Sequence, residues 1–149
     1  MQANHPLSFE SHTPIVEAVG AGEIDAGLVN HYYLHRFLAE QGESFPARNY
    51  FLPGGGPGSL ILVSGVGVLN SAANADNAQR FIEFLLSPAG QQYFATETFE
   101  YPVIEAGVTL PDTLPPLAEL EATAAHVPLA DLTDMAGTQE MLIDLGIIE

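Results

Sequence analysis

Residues 23–38 read EIDAGLVNHYYLHRFL. A short apolar run, Ile24 to Val29, leads through a polar Asn-His step into two adjacent tyrosines and an amphipathic stretch. The apolar run predicts a short strand. Tyr33, Leu34, Phe37 and Leu38 then follow helical spacing until Gly42. Upstream, TPIVEAVGA at 13–21 predicts a helix. Thr13 is placed to cap it, Pro14 suits its first position, and Gly20 and Gly22 stop it. Helix, strand and helix within so few residues predict α/β architecture. The doublet itself is unusual, because neighbours in sequence do not share a face in a helix or a strand.

Downstream, PGGGPGS at 53–59 is a glycine- and proline-rich turn. It precedes SLILVSGVGVL, the longest apolar run, which predicts a buried strand covered on both faces. Asp76, with Gln79 three residues on, has capping-box spacing. Ala78, Phe81, Ile82 and Leu85 give the following helix an apolar stripe. Ser87 and Pro88 restart a second helix, PAGQQYFATE, and EYPVI at 100–104 is expected to be extended. TLPDTLPPL is a proline-rich connection, while LAELEATA and TQEMLIDLGII are helical in pattern.

The chain has 149 residues, 47% of them hydrophobic, which suits one folded domain with a real core. It contains no run of the roughly 20 apolar residues that a membrane span requires. The opening MQANHPLSFESHT has neither a basic segment nor an apolar block and does not read as a signal peptide. Three arginines, no lysine and 19 acids give a formal net charge of −16. Long-range repulsion therefore makes nucleic acid and anionic membranes poor partners and cations plausible ones, the plainer reading being that the acids simply solvate the surface. Zero cysteines excludes disulfides and thiolate metal sites.

Several catalytic patterns fail on inspection. A phosphate-cradling loop needs a lysine after its glycines, and Gly65-x-Gly67 lacks the third glycine of a dinucleotide fingerprint. His31 and His35 have the spacing of a zinc pair, but Tyr32 stands where a metalloprotease places its glutamate. They read instead as solvated residues at a helix start. Ser64 lacks the glycine that should precede a nucleophile elbow. The chain is expected not to be an enzyme.

Tyr32 and Tyr33 admit two readings. In one, a ring packs in the core while the other lies at the surface. In the other, both follow a strand at its carboxyl end, where open α/β sheets bind ligands. Irregular backbone there lets consecutive side chains converge on one point. Phenolate is a hard oxygen donor whose free pKa is about 10. Only a strongly acidic cation such as Fe³⁺ removes that proton near neutral pH, whereas softer divalent metals prefer imidazole or thiolate.

GEIDAGLVNHYYLHR, the later GSLILVSGVGVLNSAANADNAQRFIEFLLSPAGQQYF and the closing TFEYPV together resemble the ferric-iron-binding subfamily of ABC-transporter substrate-binding proteins. The resemblance covers nearly the whole chain and is carried by these motifs occurring in this order. It implies an α/β, bilobal type II periplasmic-binding-protein fold, here a C-terminal portion lacking its N-terminal half. Residues 1–61 would then belong to the second lobe, 62–112 would cross back to the first, and 113–149 would return to the second. It further implies that Tyr32 and Tyr33 are Fe³⁺ ligands. Asn30 would hold a synergistic anion such as carbonate or phosphate, with His12 standing where some relatives place another anion-contacting asparagine. Implied partners are ferric iron, an ABC permease and the missing N-terminal half, in the periplasm or cell envelope. The competing functions are a metal-free binding protein for a small organic anion or sugar, and a non-functional remnant. An unpaired SLILVSGVGVL strand is expected to invite association.

Overall fold

The computed structural model describes residues 2–148. Six α-helices follow in order: α1 (His12–Ala21), α2 (Tyr32–Gln41), α3 (Ala75–Leu85), α4 (Pro88–Tyr93), α5 (Leu117–Glu121) and α6 (Met135–Asp144). Among the described residues there is no strand, so the α/β expectation is not met within this chain.

The reason is visible in the segment that should have been a buried strand. A strand exists by hydrogen bonding to a neighbour, and no paired segment lies beside 59–69 among the described residues. Leu62 and Leu69 are 69% and 76% exposed instead of covered. Ile24–Val29 and 100–104 are likewise irregular. On α3 the stripe residues Ala78, Ile82 and Leu85 are half-buried, while Phe81 and the neighbouring Phe84 are open to solvent.

The core lies between α1 and α2. Val16, Leu34, Phe37, Phe45 and Ala47 form it, with Val19, Val29, Tyr33 and Leu38 packed against it. Phe37 and Phe45 stack with ring centroids 5.0 Å apart. The Phe45 ring occupies the space over Gly20, where an added Cβ would stand 2.4 Å from the Phe45 Cζ atom. That close approach is why α1 carries a glycine one residue before its end. Its C-terminus closes on Gly22 in the left-handed region (φ 73°), with Glu23 N–H donating to the Ala18 carbonyl at 2.9 Å. Arg48 gathers the turn after α2, donating to the carbonyls of Glu43, Phe45 and Ala47.

Cap assignments divide. Ser87 caps α4 as expected, accepting from Gly90 N–H at 3.2 Å, with Pro88 at its first position. The Asp76 capping box does not form. Helix α3 begins one residue earlier, at Ala75, and the Gln79 amide donates to Glu83 instead. Ser11, not Thr13, precedes α1, and its side chain makes no cap bond.

Two further joints fix the chain's course. The buried Gln91 accepts from Val103 and Ile104 N–H and donates to the Leu85 carbonyl, while Gln92 pairs both its amide atoms with the backbone of Thr109. The glycine-rich turn meets the C-terminal part through Gly55 N–H to Thr123 and Ala125 N–H to Ser59, both at 3.0 Å.

Truncating Phe45 to Ala removes the ring that closes the α1–α2 core and is expected to cost about 3 kcal/mol. The check is the midpoint of urea unfolding followed by far-ultraviolet circular dichroism. The exposed apolar residues at 61–69 and on α3 are expected to drive self-association. Light scattering on the eluting peak should give a mass above the 15.9 kDa monomer, and Leu62→Asp with Leu69→Asp should lower it.

Candidate metal centre

Helix α2 starts at Tyr32, so the doublet occupies its first turn. Residues there need not continue a regular helix backward, and Tyr33 N–H closes the turn onto the Asn30 carbonyl at 3.2 Å. The two tyrosine rings lie 4.7 Å apart, inclined by 32°, and both are half-buried. Of the two, Tyr33 packs against the α1–α2 core.

Each ring has its own support. His12, at the start of α1, stacks on Tyr33 at 4.7 Å with an interplanar angle of 9°. The Arg36 guanidinium lies 5.4 Å from the Tyr33 ring centroid. The Asn30 side-chain amide donates to the Tyr32 hydroxyl at 2.9 Å, and its backbone N–H donates to His12 Nδ1 at 3.2 Å. Asn30, His12, Tyr32 and Tyr33, predicted from positions up to 21 residues apart, thus form one cluster. Because Nδ1 of His12 is an acceptor, the neutral ring carries its hydrogen on Nε2.

The histidines of α2 differ from expectation. They are not solvated: His35 is 5% exposed and His31 is half-buried. Both turn toward Phe99, which reaches α2 from the π-helical turn Phe94–Thr98. His31 Nε2 donates to the Phe99 carbonyl at 2.7 Å, and the His35 ring stacks on the Phe99 ring at 4.9 Å. His31 also touches Tyr32 edge-on at 5.6 Å and Tyr101 at 5.3 Å. The Asn49 amide holds the His31 carbonyl at 2.9 Å. Asn49 had no sequence signal, and Phe99 and Tyr101 stood out only as part of TFEYPV, with no role assigned. All three act through backbone carbonyls, which residue type does not reveal.

The electrostatics keep this cluster neutral. Burial lowers the His31 pKa, opposed by the Phe99 carbonyl and Glu100. Burial and then the neighbouring His31 lower that of His35. The Tyr33 phenol is raised, first by its hydrogen bonding with Tyr32 and then by charge repulsion from it, with Arg36 pulling the other way. Tyr101 is pushed up to about 12 by burial and Glu119, and its hydroxyl donates to the Pro115 carbonyl at 2.8 Å. Tyr101 is therefore a structural phenol, while the doublet presents the accessible pair. Among the described residues, no group of three or more His, Cys, Asp or Glu could hold a metal.

Known proteins are similar to this chain in sequence. The major ferric iron-binding protein of Neisseria meningitidis serogroup A is 39% identical over 115 residues, covering 76% of this chain and 34% of the relative. Iron uptake protein A1 of Synechocystis is 38% identical over 115 residues, 74% of this chain and 32% of the relative. The Fe(3+)-binding periplasmic protein of Serratia marcescens is 33% identical over 145 residues, 95% of this chain and 41% of the relative. The chain spans about a third of the length of the first of these curated relatives. Residues 3–92, which carry the doublet, α1, α2 and α3, match the family described as bacterial extracellular solute-binding protein, and it is to this family that the chain belongs.

Proposed function

We propose that this chain contributes the tyrosine ligands of an extracytoplasmic protein that captures ferric iron and delivers it to an ABC permease. The observation that carries this reading is the pair of half-buried phenol rings, 4.7 Å apart, held at one helix start. The relatives' names, with iron binding or iron uptake in each, support it. Iron here is cargo, and the chemistry is capture, not catalysis.

The residues fit that cargo. Fe³⁺ is a hard acid that prefers anionic oxygen. Tyr32 and Tyr33 each give up a proton on coordination, so uptake is proton-linked. The Asn30 amide has two hydrogens. One already meets the Tyr32 oxygen, where it would stabilise phenolate by a charge-assisted bond. The other, with the Nε2 hydrogen of His12, supplies donors for a synergistic carbonate or phosphate. Arg36 beside the Tyr33 ring favours the same charged state.

In this reading the chain is part of a bilobal type II α/β fold. Residues 1–61 and 113–149 share one lobe, and 62–112 belong to the other. The backbone bonds joining Gly55 and Ser59 to Thr123 and Ala125 support the first grouping. The exposed 59–69 segment gains its strand neighbours from the remaining part of that fold, and hinge closure buries the ion. The location is the periplasm or cell envelope.

Fe³⁺ supplied as a nitrilotriacetate chelate is expected to give a visible phenolate-to-iron charge-transfer band. Tyr32→Phe with Tyr33→Phe should abolish it; an unchanged band would refute the ligand assignment, and binding of an organic anion or sugar without colour would favour the metal-free alternative. With two phenol protons displaced per ion, apparent affinity should fall by up to about 100-fold per unit of decreasing pH below the phenol range. Competition titrations across pH 5–8 (about the span in which the phenols remain protonated without metal) measure that slope.

A further inference from the structure

The cluster contains one residue whose backbone is under strain. Phe99 has φ 59°, in the left-handed region that side chains other than glycine disfavour. Such a conformation persists only where its surroundings over-determine it. Here the surroundings are the end of the turn Phe94–Thr98, which Phe99 caps with a backbone N–H on the Phe94 carbonyl, and the two histidines of α2. His31 holds the Phe99 carbonyl at 2.7 Å, and His35 stacks on its ring with an interplanar angle of 14°. Their spacing of four places both on one face of the helix. The contact spans 68 residues of sequence and presses His31 edge-on against Tyr32.

We infer that His31 is a positioning residue for Tyr32: its bond to Phe99 fixes the imidazole, and the imidazole fixes the tyrosine ring. The inference rests on the proposed iron site for its purpose, and on the clasp geometry for its mechanism. Tyr33 touches the Tyr32 ring at 4.7 Å and also has supports of its own, His12 and Arg36. The clasp also lies away from the α1–α2 core, whose buried members are Val16, Leu34, Phe37, Phe45 and Ala47. Asn49, holding the His31 carbonyl, secures the same residue from its backbone. Loss of the imidazole should therefore loosen one ring of the doublet and spare the other.

The test uses the whole chain and two variants. His31→Ala removes both contacts. His31→Gln returns an amide nitrogen at the reach of Nε2, able to donate to the Phe99 carbonyl. Without metal, aromatic ¹H–¹³C spectra should show Tyr32 ring signals shifted or broadened in His31→Ala. Tyr33 ring signals and the Leu34 methyls should stay in place, and His31→Gln should restore Tyr32. With Fe³⁺, His31→Ala should keep a charge-transfer band but shift it, with affinity reduced at least about 10-fold, as for residues that orient metal ligands. His31→Gln should recover most of that loss. Unmoved Tyr32 signals in His31→Ala would overturn the inference, as would equal displacement of Tyr32 and Tyr33. A wild-type chain that gives no band refutes the iron reading alone, because the metal-free spectra still decide the positioning role.

Discussion

Consecutive side chains on a helix diverge by about 100°, and everything at the candidate site depends on how this chain overcomes that divergence. It places the two tyrosines in the first turn of α2, directly after His31, whose backbone is already helical (φ −54°, ψ −35°), so the backbone alone does not bring the rings together. It then corrects each ring from outside. His12 arrives from α1 to face Tyr33, and Asn30 ties the Tyr32 hydroxyl back to the chain. These contacts exist because α1 and α2 share a core, and that core depends on Phe45 lying flat over Gly20. A methyl group at position 20 would thus disturb a site that it never touches.

The chain's charge sharpens the chemistry. With 19 acids against three arginines, a site built of carboxylates would attract cations of every kind. Phenols avoid this. They are neutral until an ion acidic enough to displace their protons arrives, and the Tyr33 phenol, raised above its ordinary value by Tyr32, is a more demanding gate than a free tyrosine. The buried, uncharged His31 and His35 add no competing cationic charge. Selectivity follows from what must be removed before binding, while the surface acids act only at long range.

Much of this was legible in the sequence. The doublet stood out by its place at a helix start, Asn30 and His12 only through the family resemblance, and the structure brings the four together. Helices α1, α2 and α4 carry their own punctuation in Gly22, Gly42 and Ser87-Pro88, and they form where that punctuation places them. The strands failed for a different reason. A helix satisfies its own backbone, whereas a strand needs a neighbour, and 59–69 finds none among the described residues. Its apolar pattern describes an environment that this chain alone does not supply. The Phe99 clasp was illegible because its key acceptor is a carbonyl, 68 residues away from its donor, and any residue type could have provided it.

The joints made by Gln91 and Gln92 carry a separate consequence. Both side chains are carboxamides, and they bind backbone atoms of Leu85, Val103, Ile104 and Thr109 without any ionisable partner. Acidification leaves such stitches intact, since neither donor nor acceptor titrates in the range where carboxylates and imidazoles do. The seam after α4 is therefore indifferent to the same protons that would compete for the tyrosines. In the proposed iron-binding protein, acid would then release the ion while this seam stays closed for the next load.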